Sequence, residues 1–351
     1  MKARRARGLA LVVAAFAALG HAGSLGALEV DPYHAWQQEI EDSADLLNAF
    51  LAESFAESIE LANQRPGRFA TCPDVSRLLM RRVFSSVFGR KPVFRFIGRL
   101  PPRYKAEGGH FSEVWRSPYR YVPQLYFSSL AETINVDGVY LGKDKITHVF
   151  GFGRRYYSRY LRARERGLSA EEAVAEAVAR GMKQEAGWVG GRIDGIFSYA
   201  DLESNYRGLQ LARSLCEDLG GGDALDLSGG PGSWRLVGVL DIRDVVNPLF
   251  DEGYNTPRMV SALWPGVRLR LRRFCTVLEL PEVRQRLERY DARIESLDSP
   301  SEELIAELST DRQRARRRQH SIFTLCALDT GSPATLPATG VSGPIGEDRR
   351  R

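Results

Sequence analysis

The chain has 351 residues, 26% of them charged and 43% hydrophobic, with a formal net charge of +5. Lys2, Arg4, Arg5 and Arg7 carry four of those surplus charges. The remainder is close to neutral, which argues against nucleic acid as a partner. No segment after the first approaches the roughly 18 apolar residues of a membrane-spanning helix, while the length suffices for one large or two moderate domains.

In chain order, MKARRAR is followed by the apolar run GLALVVAAFAALG and by small residues up to Ala27. A basic start, an apolar core and a small-residue exit read as a signal peptide over residues 1–27, with an uncleaved anchor as the alternative. The expected location is therefore exported, in the periplasm or cell envelope. In such a chain the four cysteines, Cys72, Cys216, Cys275 and Cys326, permit two disulfides in three connectivities. Cys275 and Cys326 flank a helical hairpin and form the favoured pair, against core thiols as the alternative.

Tyr33 to Gln64 reads as an acidic helix with seven carboxylates and no Lys or Arg. In the next stretch, Arg65 to Lys105, eleven basic residues face the single Asp74. This basic 65–105 segment either contacts an anionic envelope component or membrane surface, or packs beside the acidic helix; the second reading is preferred. Residues 98–123 form an irregular, aromatic-rich loop that includes Trp115. Helices are expected from about Gln124 to Glu217, and a short strand over Arg235 to Leu240. Ser299-Pro300-Ser301-Glu302 reads as an N-cap, Pro and capping-box helix start. Arg312, Arg314, Arg316, Arg317 and Arg318 read as a solvated face. In the tail, LPATG at Leu336 to Gly340 resembles a sortase motif but lacks the hydrophobic span such a signal requires.

The expected fold class is mainly α: a multi-helix globular bundle with a smaller C-terminal helical region and long irregular loops. Its divisions are a main helical domain over 28–218, a Gly-rich linker over 219–233, a C-terminal helical region over 234–328 and a disordered tail over 329–351.

Polar residues on otherwise apolar helices mark the place for chemistry. Ser169 and Glu172 form a capping box that opens a helix whose apolar face includes Val174, Val178, Gly181, Met182 and Val189. At about 100° per residue Glu185 falls in the middle of that face, so it must be paired, metal-bound or protonated. Asp144 and His148 share a helix face at i and i+4, away from the stripe Ile146, Val149, Phe150, Gly153, Tyr157 and Tyr160. Either they bind one metal, or Asp144 caps the helix and His148 is solvated. Ser198 reads as an N-cap, and Asp201 and Asn205 share a stripe with Gly208 and Ala212 that allows close approach of a neighbouring helix. Convergence of Asp144, His148, Glu185, Asp201 and Asn205 would give mixed N/O ligands suited to a divalent metal such as zinc. Glu185 and His148 would then supply acid–base chemistry, and Lys145 would steady an anionic group.

The order D-K-x-x-H, a later Glu and S-x-x-D-L-x-x-N-x-x-G resembles VanZ-like proteins and a related family of predicted periplasmic lipoproteins of unknown function. The matching positions are Asp144, Lys145, His148, Glu185, Ser198, Asp201, Leu202, Asn205 and Gly208, within residues 137–210. The resemblance implies an envelope location and a shared polar site, without an established reaction. Two departures stand out: arginines such as Arg154, Arg155 and Arg159 on helices that are membrane-embedded in VanZ-like proteins, and no cysteine for lipidation. The main functional reading is an exported scaffold or binding protein with a buried polar network. Its alternative is a metal-assisted hydrolase that uses the same residues on an envelope substrate.

Overall fold

Alternating burial along the acidic N-terminal stretch places Leu47, Leu51, Phe55 and Ala62 on one face of a long helix. The computed structural model describes residues 30–84, 92–106, 116–122, 130–187, 195–219, 225–297 and 300–330. The expected signal peptide, Trp115, Val189, Ser299 and the LPATG tail lie outside the described residues. A single turn α1 (Pro32–Ala35) precedes the long helix α2 (Ala44–Gln64), followed by α3 (Cys72–Phe84) and α4 (Pro92–Gly98). The acidic α2 packs on the basic α3, and Arg82 meets Glu57 at 3.2 Å on their exposed edge.

The expected run of helix from Gln124 is interrupted. Strands β1 (Lys105–Ala106), β2 (Thr133–Val136) and β3 (Val139–Gly142) form an antiparallel sheet in that order. Asp137 and Gly138 turn β2 into β3 with φ of 53° and 77°. Positive φ at both central residues is the two-residue hairpin geometry that Asp-Gly favours. Flanking residues Thr133, Ile134, Val136 and Val139 supply the β-branched side chains that suit a strand.

Directly from β3 the chain enters α5 (Lys143–Thr147), widens into a π-helical turn over His148–Phe152, and continues as α6 (Gly153–Glu165). Then come α7 (Ala170–Glu185), with the expected Ser169–Glu172 capping box, β4 (Ile196–Phe197) and α8 (Tyr199–Ser214). Helices α6, α7 and α8 pack together. A Cβ on Gly208 would lie 2.0 Å from the Val149 carbonyl oxygen, and one on Gly153 would lie 2.5 Å from Gly208 Cα. Glycine at both positions is what lets α8 touch the π turn. That close approach follows the small-residue stripe read from the sequence.

A hairpin of β5 (Asp226–Ser228) and β6 (Arg235–Val237) follows, and β7 (Arg258–Met259) pairs with β4. Leu225, Leu227 and Trp234, in and beside the Gly-rich stretch, belong to the same hydrophobic core as Tyr33 and Cys326. The described residues close with α9 (Trp264–Leu271), α10 (Pro281–Glu295), α11 (Pro300–Leu308), α12 (Asp311–His320) and α13 (Ile322–Thr330). The fold is a mainly α-helical, multi-helix bundle with long loops. No helix among the described residues is long and apolar enough to cross a membrane.

Two disulfides tie the bundle. Cys275–Cys326 is the pair favoured from the sequence, and Cys72–Cys216 fastens α3 to the end of α8. The arginine-rich α12 departs from the expected solvated face. Arg317 is buried and donates to both carboxylate oxygens of Glu302, at 2.8 and 3.2 Å. Arg314 donates to the carbonyls of Ala306 and Ser309 at the end of α11. Glu302 thereby supplies the carboxylate that a buried guanidinium requires; the capping box expected with Ser299 lies outside the described residues.

Candidate functional site

Gly142 is the N-cap of α5, and its missing Cβ makes room for the site. A Cβ there would lie 2.1 Å from Asp144 Oδ1 and 2.4 Å from a Val30 methyl carbon. Asp144 and Lys145 sit in the first turn of α5, and both are buried. Lys145 Nζ donates to Asp144 Oδ2, Asp201 Oδ1 and Glu252 Oε1, each at 2.6 Å. An ammonium has three donors and no acceptor, so these bonds use its full capacity.

Asp201 is set by the start of α8. Ser198 is the N-cap, accepting the Asp201 N–H at 3.2 Å and donating through Oγ to Glu252 Oε1 at 2.8 Å. Glu185, at the end of α7, is buried as its place on the apolar face demands. Its Oε1 accepts the Ser198 N–H at 3.1 Å. Glu185 therefore holds the entry into α8 from behind, while Asp201 and Asn205 face the cluster.

His148 opens the π turn, a distortion common at functional sites, and it is buried with only 2% exposure. Its ring stacks on Phe152 with centroids 4.6 Å apart. Nδ1 lies 3.0 Å from Asn205 Oδ1, and Nε2 lies 3.3 Å from Asp201 Oδ2. Asn205 Nδ2 in turn points at the Tyr156 hydroxyl, 3.5 Å away.

Burial depresses the His148 pKa below its ordinary value; the Asp201 and Asp144 charges and the Asn205 contact oppose that effect, and the Lys145 charge adds to it. His148 is thus neutral at pH 7. Burial alone would raise the Asp201 carboxyl, but His148 when protonated, the Lys145 charge and the bonds from Lys145 and Ser198 outweigh it and hold the group low. Burial pushes Glu252 up, with Asp144 and Asp201 adding to the rise and Lys145 opposing it.

A neutral imidazole carries one proton. An amide oxygen only accepts, so with Asn205 Oδ1 facing Nδ1 the proton belongs on Nδ1. The Nε2 lone pair then faces the Asp201 carboxylate, an electron-rich contact that calls for a cation between the two. Turning the Asn205 amide over would move the proton to Nε2 and let it bond Asp201 without a metal. The charge balance leans the same way as the first arrangement. Three carboxylates surround one ammonium, and the buried Asp144 Oδ1 and Glu252 Oε2 have no hydrogen-bond partner. One ligand atom from each of Asp144, His148 and Asp201 lies within 4.8 Å of the other two. The cluster is therefore a buried polar group that can coordinate a divalent metal or close as a polar network.

Of the five residues expected to converge, Asp144, His148, Asp201 and Asn205 come together, and Lys145 joins them. Glu185 supports them through Ser198. The sequence reading did not single out Glu252. Its signal was the Asp251-Glu252 pair directly after the apolar run Pro248–Phe250. Neighbouring Asp251 is pushed up to about 6 by burial, against bonds from Trp36, Gly253 and Tyr290 that favour its charge. Compared with known proteins, the chain matches no family model, no curated protein and no solved structure.

Proposed function

We propose that the chain holds a divalent cation, such as zinc, on Asp144, His148 and Asp201 and uses it to activate water against an envelope substrate. The observation that carries this reading is the His148–Asp201 contact. A neutral imidazole whose Nδ1 is committed to Asn205 presents its free nitrogen to a carboxylate, which is how a histidine ligand is oriented by its outer partner. Three protein ligands with nitrogen and oxygen donors leave a coordination position for water, whose pKa such a metal lowers. Such a metal would supply an activated water, and Glu252, whose Oε2 lacks a partner, is the carboxylate of the cluster that would accept its proton and return it to the leaving group. Asn205 and Glu185 act as positioning residues, the first on His148 and the second on the N-cap of α8.

A second reading keeps the cluster free of metal, as a buried network that fixes helix register in an envelope scaffold. It is favoured by Lys145, whose ammonium already stands among three carboxylates at 2.6 Å. The two readings separate under chelation. Metal binding predicts that a chelator lowers the melting temperature and that zinc or manganese restores it, by about 2.7 kcal/mol at a hundredfold excess over Kd. The network predicts no response, and His148→Ala would abolish the response only in the first case. The export expected from the N-terminal segment, together with two disulfides, supports an envelope setting for either reading.

A further inference from the structure

Behind His148 the molecule carries a group of arginines that the cluster itself does not use. Arg155 lies over the Phe152 ring at 4.8 Å, and Phe152 is the residue stacked on His148. One turn on, Arg159 lies over the Tyr156 ring at 5.8 Å, and the Tyr156 hydroxyl faces Asn205, the partner of His148 Nδ1. Arg155 and Arg159, at i and i+4, share one face of α6. Both are half-buried, as is Arg154 beside them.

Other arginines surround them, of which Arg77 is paired with Asp74 and Arg180 with Glu176. Burial, followed by the charges of Arg155, Arg81 and Arg77, pulls Arg154 below its ordinary pKa. Burial does the same to Arg155. Arg159 is lowered by burial and by Arg180, Arg155 and Arg162, with Tyr156 opposing. Among the described residues no ion pair joins Arg154, Arg155 or Arg159 to a carboxylate. Arg154 Nε and Arg159 Nη1 are buried donors without a hydrogen-bond partner. A guanidinium donor withdrawn from water and left unbonded is costly, and like charges gathered on one face add to that cost. Elsewhere in the chain Arg317 is matched by Glu302 and Asn255, while Arg207, Arg258 and Arg286 each keep one buried nitrogen without a partner and are isolated from one another in sequence rather than gathered on one helix. Arg154 and Arg159 therefore each keep a donor that an anion could satisfy, and Arg155 stands between them on the chain with no carboxylate paired to it.

We infer that Arg155 and Arg159, with Arg154 beside them, bind an anionic group, a phosphate or phosphate ester, presented next to the His148 cluster. Planar guanidinium groups match phosphate oxygens in bidentate fashion, and a half-buried position strengthens each bond. The inference deepens the proposed function by naming its substrate class as phosphate-bearing. It rests on that reading only for the use to which the anion is put, since binding needs α6 alone. The ester could be a soluble molecule or a lipid headgroup.

The full chain is titrated with inorganic phosphate, and separately with vesicles of phosphatidylglycerol or of phosphatidylcholine. The wild type is expected to bind phosphate, and R155Q/R159Q to bind it about tenfold more weakly or worse. R155K and R159K, which keep the charge but lose the fork, should fall between. Because the double variant removes like charges, its melting temperature should hold or rise. Vesicle binding that needs phosphatidylglycerol and is lost in R155Q/R159Q, without binding of free phosphate, assigns the anion to a headgroup. His148→Ala should leave phosphate binding intact, so loss of the metal reading and loss of this one are separately visible. Absence of binding to both probes, equal binding by R155Q/R159Q, or a fall of several degrees in its melting temperature overturns the inference.

Discussion

Helix α8 contributes to two buried charged clusters, and they are built on opposite principles. On one side, Tyr199 of α8 packs under the Arg317 guanidinium at 3.9 Å, and Arg317 is matched by Glu302 and Asn255. Charges there cancel, and both carboxylate oxygens of Glu302 are bonded. On the other side, Asp201 joins Asp144 and Glu252 around one lysine, with two carboxylate oxygens unpartnered and a neutral histidine facing an anion. Both clusters are equally deep in the bundle, so burial does not separate them. Charge balance does. A satisfied cluster is explained by holding α8, α11 and α12 together, while a surplus of one sign requires something further.

The contrast can be broken most sharply by removing the central cation from each side. Arg317→Met and Lys145→Met should each cost about 3–5 kcal/mol in chemical unfolding, since each strands buried carboxylates. Added manganese should restore part of the stability of Lys145→Met and none of that of Arg317→Met. Equal insensitivity of the two variants would erase the distinction. The double replacement R317M/E302M should recover most of the loss on the balanced side.

A smaller effect of opposite sign is expected from trimming the surplus. In the presence of chelator, Asp144→Asn should be more stable than wild type by about 1 kcal/mol, while losing its affinity for metal. Lower stability in chelator would show that the carboxylate is structural.

The smallest effect concerns pH. His320 accepts the Met259 N–H at Nδ1 and stacks on Trp264, and burial, with the Arg258 and Arg316 charges, lowers its pKa to about 4. A histidine depressed on folding contributes stability that is complete above its unfolded pKa near 6.5 and erodes as pH falls toward 4. His148 has the same sign. Melting curves of His320→Gln and wild type should therefore converge, or cross in favour of the variant, between pH 6.5 and 4. Asp251 acts in reverse, because its raised pKa of about 6 makes protonation below that pH relieve a buried charge. A constant difference between the two proteins across this range would place the His320 proton elsewhere.

What the sequence made legible was what helical periodicity controls. Glu185 sits in the apolar face of α7 and is buried as that position requires, and the Ser169 and Ser198 caps form at the expected ends. Gly208 brings α8 against the π turn as its spacing suggested. His148 was harder, since it lies off the apolar stripe of its own helix. It is buried because α8 covers that second face, which no single-helix pattern reports. Glu252 meets Lys145 across a separation of 107 residues, and Arg317 finds Glu302 on a different helix. Such partners are fixed by tertiary packing, and local propensity is silent about them. The β2–β3 hairpin is a different case: Asp137-Gly138 between β-branched residues was a local signal, and a reading weighted toward helix passed over it.

The most direct test of the metal site is metal content after equilibrium dialysis of the purified full chain against zinc or manganese. One ion per chain is expected for the wild type, with loss of that ion in both His148→Ala and Asp201→Ala while the disulfide-bonded fold persists. A wild type that retains no ion, or variants that retain as much as the wild type, would contradict the assignment of Asp144, His148 and Asp201 as ligands.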